Sequence, residues 1–286
     1  MNTGFIPTLA GAGTTSLVIE LAFELAARGR AITLVDADPV AELSVRTRTR
    51  PRTPLSDVFG WSECDAAVHG SATPLDARVA IVPVDDGRFV GAGLALTPGV
   101  LAACAAAQAP CGALFIDLPP AGAPATSAAL TVLDGVVGVI PATAAGVRSI
   151  AAFLRLVLGT RTRAGQPPTL RALVLAQTRD GEASDAIARE LSRCTSAVVP
   201  TVSVPWDRDL ERDSLRRELN GSRSAALKRA IAQLADAIED SVTTAPAPEA
   251  VMNRDEVPAG RLVRSASSEA AVGRPRTTGG GAIARP

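Results

Sequence analysis

In residues 11–29, GAGTTSLVIELAFELAARG, a glycine-rich turn leads directly into a helical pattern. Apolar residues at positions 17, 18, 21, 22, 25 and 26 follow the helical spacing, and Gly29 ends the pattern. Glycines allow backbone N–H groups to approach a phosphate, and a helix that starts near Thr15 points the positive end of its dipole at the same place. The turn is therefore a candidate phosphate-binding loop, although a strand-to-helix turn can need glycine for its geometry alone.

The rest of the chain alternates short apolar runs with helical stretches, which favours βαβ units and a parallel sheet. We expect an α/β fold with a doubly wound, mostly parallel sheet that is flanked by helices. The predicted strands are residues 4–9, 31–38, 77–85, 112–120, 135–143, 170–178 and 197–207. The predicted helices are residues 15–28, 98–108, 123–133, 146–158, 183–193 and 222–240.

The last part of the chain differs from the rest in composition. From Thr243 onward it is rich in Pro, Gly, Ser, Ala and Arg and shows no apolar periodicity. Such a segment buries too little surface to offset its chain entropy. We therefore expect one folded domain over residues 1–242 and a disordered tail over residues 243–286.

Composition excludes several classes of protein. The formal net charge is zero, so no overall field attracts nucleic acid or a membrane. The four cysteines form no CxxC pair and His69 is the only histidine, which argues against a zinc site and a disulfide framework. We find no signal-peptide pattern and no apolar run of about 18 residues, the length of a membrane span. A cytoplasmic protein without a transmembrane segment is expected.

The basic residues are almost all arginine. Lys228 is the single lysine beside 28 arginines, so no lysine lies near the glycine-rich turn. Four of the arginines alternate in RTRTRPRTP, which begins at Arg46. We expect this stretch to be a solvated loop, and an anion-contacting surface is the alternative.

Carboxylates follow two of the predicted strands. Asp36 and Asp38 end the strand in LVDADP, and Asp117 ends the strand in ALFIDLPP. In doubly wound folds the ligand binds at this carboxyl edge of the sheet. The three aspartates are therefore candidates for holding Mg²⁺, orienting water or accepting a ribose hydroxyl, although Asp-x-Asp-Pro is also a common turn sequence.

The order of these segments resembles the ParA/MinD group of P-loop ATPases, whose phosphate loop has a deviant form. The glycine turn and helix, then VDADP, then FIDLPP are similar to that group's motifs, and the resemblance extends over residues 1 to about 240. It implies a P-loop NTPase-like fold, ATP or ADP with Mg²⁺ as ligands, and a homodimer or a protein partner. The pilus and secretion branch (TadZ/CpaE-like) and the septum-site proteins are the similar subgroups.

The resemblance also assigns site residues. Thr15 occupies the magnesium-ligand position, and Asp36 is the candidate catalytic acid. The residues implied in nucleotide binding are Gly11, Ala12, Gly13, Thr14, Thr15, Ser16, Gln177, Pro205 and Asp207. The residues implied in binding Mg²⁺ are Thr15, Asp36, Asp38 and Asp117.

The chain departs from the family pattern at the two lysines of the phosphate loop. The family loop K-G-G-x-G-K-T-T, laid on residues 9–16, leaves Leu9 at the signature lysine and Thr14 at the phosphate-loop lysine. Electrostatic stabilisation is most of what a protein contributes to phosphoryl transfer. We therefore expect weak or no ATP hydrolysis. Pro7 is a further departure, because proline cannot donate a hydrogen bond within a central strand.

Three functions are compatible with these sequence patterns. The first is a nucleotide-binding pseudo-ATPase that positions or partitions a chromosome or plasmid, a septum, or pilus or secretion machinery. The second is an active partition ATPase with a non-standard loop, for which nonspecific DNA binding is weakly supported because acids interrupt the arginines of residues 207–229. The third is an NAD(P)- or FAD-dependent oxidoreductase, because Gly11-x-Gly13-x-x-Ser16 followed by Asp36 imitates the dinucleotide-binding fingerprint.

Overall fold

Eight strands and five helices are assigned in the part of the chain that the computed structural model describes. The strands are β1 (Asn2–Pro7), β2 (Ala31–Asp36), β3 (Thr73–Pro74), β4 (Val79–Val82), β5 (Gly112–Asp117), β6 (Gly135–Pro141), β7 (Thr169–Thr178) and β8 (Thr201–Pro205). The helices, numbered here α1 to α5, are Thr14–Ala27, Glu42–Arg46, Pro124–Leu130, Ala144–Gly159 and Ala225–Thr243. The structure describes residues 1–38, 40, 42–49, 73–75, 77–82, 112–162, 165–178, 187, 189, 191, 199–210 and 223–243.

The strands form one sheet in the order β3-β4-β2-β5-β1-β6-β7-β8. All pairs are parallel except the short edge pair of β3 with β4, which is antiparallel. The predicted doubly wound, mostly parallel sheet is therefore confirmed. The predicted helix at 98–108 lies outside the described residues, as does most of the one at 183–193.

Each face of the sheet is covered by its own helices. Phe153, Leu154 and Val157 of α4 pack on one face together with Leu130 of α3. On the other face, side chains of α1 and α5 pack against β1, β5, β6 and β7. Because alternate residues of a strand point to opposite faces, Phe5 joins the second core and its neighbour Ile6 the first. This three-layer arrangement buries the central strands on both sides.

Strand β1 lies between β5 and β6, and it ends where the glycine-rich turn begins. Pro7 is its last residue, opposite Val139 of β6. The ladder continues around the missing N–H, because Thr8 N donates to Val139 O and Ala121 N donates to Pro7 O. Pro7 is therefore compatible with a central strand here, since it stands at the strand's end.

Helix α5 closes the described part of the chain. It runs three residues further than predicted, to Thr243, and its residues 227, 230, 231, 234, 235 and 238 are buried. Residues 244–286, which include nearly all of the predicted tail, lie outside the described residues. No helix in the described part is both long and apolar enough to cross a membrane.

Candidate functional site

The glycine-rich turn has the backbone geometry that only glycine adopts easily. Gly11 has φ +76° and Gly13 has φ +81°, both in the left-handed region. Gly13 stands directly before α1, and its carbonyl accepts a hydrogen bond from Leu17 N at 3.1 Å. The first turn of α1 therefore directs its free N–H groups toward the turn, as an anion-binding helix end requires.

Beneath this turn, Thr15 pairs with Asp117. Thr15 Oγ1 donates to Asp117 Oδ2 at 2.7 Å, and both side chains are buried. Burial raises the pKa of Asp117 well above its ordinary value, the nearby charge of Asp36 raises it further, and the Thr15 hydrogen bond opposes the shift. The pair joins the candidate magnesium ligand to the carboxylate of β5, two residues that lie 102 positions apart in sequence.

Asp36 lies beside this pair, because it is opposite Asp117 in the register of β2 and β5. Its Oδ2 accepts hydrogen bonds from Ser44 N at 2.7 Å and Ser44 Oγ at 2.5 Å. Its Oδ1 is buried with no hydrogen-bond partner in the described part of the chain. Burial raises the pKa of Asp36 to about 6, although the Ser44 hydrogen bonds oppose the shift. No motif in the sequence indicated that Ser44 is a partner of Asp36.

Asp38 is only partly buried, and it stabilises a turn. Its Oδ1 accepts a hydrogen bond from Val40 N at 3.0 Å. Over the described residues, no group of three or more His, Cys, Asp or Glu side chains converges on a metal-sized site. The assignment of Asp38 to Mg²⁺ stays a prediction.

Gln177 reaches the turn from the end of β7. Its backbone is in the left-handed region with φ +60°, and its Nε2 donates to Gly11 O at 2.8 Å. A Cβ on Gly13 would stand 3.2 Å from the same Nε2. The predicted adenine-side residue therefore contacts the glycine turn itself, and a Cβ on Gly13 would require the Gln177 side chain to shift slightly.

A cavity of about 280 Å³ opens between the turn and the ends of β7 and β8. On one side it is lined by Gly11, Ala12, Gly13 and Ser16 of the turn and the start of α1. The far side consists of Gln177, Pro205, Trp206, Asp207, Leu210, Leu227 and Ile231. Most of the predicted nucleotide-binding residues thus surround one cavity, with the Thr15–Asp117 pair beneath the turn.

Asp207 holds the far wall of this cavity together. Its Oδ1 accepts from Asp209 N and Leu210 N, both at 2.9 Å, and its Oδ2 accepts from Ser224 N at 3.0 Å. Burial raises the pKa of Asp207, but the hydrogen bonds, led by that of Ser224, outweigh burial and lower it. These contacts support a structural role for Asp207 at the start of α5.

The solvated loop predicted for RTRTRPRTP is contradicted at Arg46, whereas Arg48 is exposed. The sequence pattern favoured a solvated loop, but Arg46 is the last residue of α2 and its side chain is only 14% exposed. Its guanidinium donates from Nη1 to Ser16 Oγ and lies 3.1 Å, by Nε, from Glu42 Oε1. Sequence reasoning missed this contact because α2 and α1 meet only in the folded chain. Arg50 and Arg52 lie outside the described residues.

The site fits a magnesium-bound nucleotide in its donor set. The Thr15 hydroxyl gives its proton to Asp117 and keeps its lone pairs for a cation. Asp36 Oδ1 and Thr14 Oγ1 are buried polar atoms with no partner in the described ranges. Hydroxyl and carboxylate oxygens are the ligands that Mg²⁺ takes, together with water and phosphate oxygens.

Comparison with known proteins identifies the fold. The chain has the fold of the ParA/MinD-type P-loop ATPases, as the sequence resemblance predicted. The cell division ATPase MinD of Pyrococcus furiosus superimposes with a TM-score of 0.65 at 20% identity, covering 84% of this chain and 98% of MinD. A putative plasmid partition protein of Borrelia burgdorferi B31, bound to AMPPNP, gives 0.64 at 14% identity, with 84% and 98% covered.

The same fold also includes a synthase. Cobyrinic acid a,c-diamide synthase of Mycobacterium smegmatis, with bound ADP and magnesium, gives a TM-score of 0.66 at 18% identity and covers 86% of this chain and 96% of its own. No protein-family model matches the sequence, and no curated protein matches it significantly. At these identities the likeness defines the fold, and the function has to be argued from the site.

Proposed function

We propose that this protein binds ATP or ADP with Mg²⁺ in the cavity beside the glycine turn and acts as a nucleotide-binding pseudo-ATPase. In this proposal residues 11–16 bind the phosphates, and Thr15 holds the magnesium with Asp36 or Asp117 behind it. The single observation that carries the proposal is the Thr15–Asp117 hydrogen bond directly beneath a glycine turn that opens on the cavity. The neighbours with AMPPNP and with ADP and magnesium support the same ligand class.

Weak or absent hydrolysis is proposed because the loop carries neither family lysine. Thr14 stands at the phosphate-loop lysine position, its side chain is buried, and it cannot supply a charge. Loss of one donor that stabilises transition-state charge commonly lowers the catalytic rate by about 10²- to 10³-fold. We infer that nucleotide binding has a switching role here, in which the bound state changes what the protein contacts.

The biological role that we propose is the positioning or partition of a cellular cargo. The support is the fold shared with a cell division ATPase and a putative plasmid partition protein. The cargo would be a chromosome or plasmid, a septum, or pilus or secretion machinery, recruited by a protein partner. Nucleotide-dependent homodimerisation is part of the proposal; sedimentation of an unchanged monomer with and without nucleotide would remove that part.

The oxidoreductase alternative is disfavoured by the order of the strands. In the dinucleotide-binding fold the strand that ends in the ribose acid lies next to the first strand. Here β5 lies between β1 and β2, so Asp36 is two strand spacings, about 10 Å, from the end of β1. Its Oδ2 is also taken up by Ser44.

Titration with a fluorescent ATP analogue tests the proposal. The measurements are binding with and without Mg²⁺, competition by unlabelled ATP, parallel titration with NADH, and phosphate release. We expect saturable, ATP-competed, Mg²⁺-dependent binding with little phosphate release. The variant Thr15→Ala is expected to lose the Mg²⁺ dependence, and Thr15→Ser, which keeps the hydroxyl, to retain it.

Each other outcome has a definite meaning. Binding of NADH and not of ATP would support the oxidoreductase. Rapid phosphate release by the wild type that is absent in Thr15→Ala would support an active partition ATPase. Binding of neither nucleotide would refute the proposal and leave the glycine turn as a purely structural feature.

A further inference from the structure

Arg46 places a positive charge at the phosphate loop from another helix. It ends α2, and its guanidinium contacts the Ser16 hydroxyl in the first turn of α1, 30 residues earlier in the chain. Both residues line the cavity, together with Gly11 and Gly13. The arginine is therefore at the place where a bound phosphate chain would meet the start of α1.

The other charged residues of the cavity wall are acidic. Among the lining residues, Glu20, Glu42 and Asp207 are carboxylates and Arg46 is the single cation in the part of the chain that the structure describes. Glu20 is already paired with Arg223, whose Nη2 lies 2.6 Å from Glu20 Oε1. An anionic ligand in this cavity thus faces carboxylates on several sides and has one side chain of opposite charge.

We propose that Arg46 supplies the cation that the glycine loop lacks and binds the phosphate chain of the nucleotide. This inference rests on the proposed nucleotide binding at the same cavity. It assigns the role of the absent loop lysines to a residue of a different element, and it predicts a site that recognises the phosphates of its ligand through an arginine.

The geometry allows the exchange of partners that this role requires. In the described contacts Arg46 uses Nη1 for Ser16 and Nε for Glu42. The Glu42 side chain is 51% exposed, so it can turn to solvent when a phosphate arrives. A guanidinium has five N–H donors in a planar fork and binds phosphate oxygens in pairs, which suits a charge that approaches the loop from the side.

The test compares Arg46→Gln, Arg46→Lys and the control Arg155→Gln, which alters an exposed arginine of α4 that does not line the cavity. The measurement is the affinity for ATP and for adenosine, each by competition against the fluorescent ATP analogue with Mg²⁺. We expect Arg46→Gln to weaken ATP binding about ten- to hundredfold, the range for a charged hydrogen bond, and to leave adenosine binding within about twofold. Arg46→Lys should be intermediate, and Arg155→Gln should match the wild type.

A charge at the family position should compensate for the loss. We expect Thr14→Lys to restore much of the ATP affinity in the Arg46→Gln background, because both side chains would act on the same phosphates. If Arg46→Gln does not fold, the comparison is made between Arg46→Lys and Arg46→Lys with Thr14→Lys.

The outcomes separate this inference from the proposed function. If the wild type binds no ATP, the proposed function fails first, and the inference fails with it. If the wild type binds ATP and Arg46→Gln binds it equally, the inference alone is overturned. Equal losses for ATP and adenosine would also overturn it, because they would show that Arg46 only holds α2 against α1.

Discussion

At the scale of single residues, the site concentrates two buried carboxylates beneath a loop without lysine. Asp36 and Asp117 face each other across β2 and β5, and burial raises the pKa of both. A charged carboxylate away from water is unfavourable unless it is paired or bonded. The folded state therefore holds these groups at a cost that a bound cation would relieve.

Asp36 should make stability depend on pH. Its pKa is raised from 3.8 to about 6 in the folded state, so folding is weakened as pH rises through this interval and strengthened as pH falls through it. Between pH 7.5 and pH 5 we expect the wild type to gain about 1 kcal/mol relative to Asp36→Asn, which cannot take up a proton and keeps an acceptor for Ser44. Urea unfolding of both proteins at the two pH values measures the difference. Parallel pH curves would show that Asp36 titrates normally.

At the scale of elements, the sheet and helices pack closely enough to require glycine inside a central strand. Gly138 of β6 lies under Phe153 of α4, and a Cβ there would stand 2.6 Å from the Phe153 ring and 2.9 Å from Leu173. Phe153 is 1% exposed, so its ring has little room to move. The close packing of α4 on β6 thus depends on the absence of a side chain at Gly138.

Gly138→Ala should therefore destabilise the fold. We expect a loss of about 1–3 kcal/mol in the free energy of unfolding, the usual range for overpacking a core. Gly159→Ala is the matched control, because a Cβ at that end of α4 meets nothing within 4 Å. Chemical denaturation of the two variants gives the comparison, and equal stability would contradict the packing argument.

Asp207 links the segment that follows β8 to the start of α5 through its hydrogen bonds, and its replacement should lower the stability of the fold. Asp207→Ala leaves the N–H groups of Asp209, Leu210 and Ser224 without that acceptor, and we expect a loss of about 1–3 kcal/mol. Asp207→Asn should lose less, because it retains one oxygen. Since the pKa of Asp207 is lowered, its contribution is present above the unfolded value of 3.8 and is lost at lower pH. Thermal melts at neutral and acidic pH test both statements. An Ala variant as stable as the wild type at neutral pH would refute the structural role of Asp207.

At the scale of the whole molecule, the site is assembled by the common direction of the strands. β1, β2, β5, β7 and β8 are parallel, so the turn, Asp36, Asp117, Gln177 and Pro205 all come to one edge of the sheet. The starts of α1 and α5 lie at this edge as well, and Arg223, just before α5, pairs with Glu20 in the second turn of α1. A ligand in the cavity there would contact the turn, α1, α2, α5 and the ends of β7 and β8.

Removal of residues 244–286 should leave this assembly intact. We expect the shortened chain to keep the thermal stability and nucleotide affinity of the full chain, because α5 ends at Thr243 and its apolar face is buried within residues 1–243. The matched control ends at Ser224 and lacks α5 with its buried Leu227 and Leu234, so the core against which they pack is uncovered. This control should be insoluble or unfolded. A large loss of stability in the longer variant would refute the predicted domain boundary.

Most of the elements and the loop could be predicted from the sequence, because these depend on neighbours along the chain; α2 and β3 were not predicted. The helical spacing before Gly29, the apolar runs that end in Asp36 and Asp117, and the paired glycines are local signals, and the structure places each of them as predicted. The family resemblance added Gln177, Pro205 and Asp207 to the predicted site, and all three line the cavity. It did not indicate that Asp207 accepts hydrogen bonds from Asp209 N, Leu210 N and Ser224 N.

Which side chains meet could not be predicted, because it depends on the packing of elements that are distant in sequence. The order of the strands brings Asp117 to Thr15 over 102 positions and Gln177 to Gly11 over 166, and no local pattern encodes such distances. Arg46 is the clearest case: an arginine in a basic run is typical of a solvated loop, but the packing of α2 against α1 buries it beside Ser16. The positive charge beside the glycine turn follows from this packing, because the Arg46 guanidinium reaches the turn from α2, which the fold places next to α1.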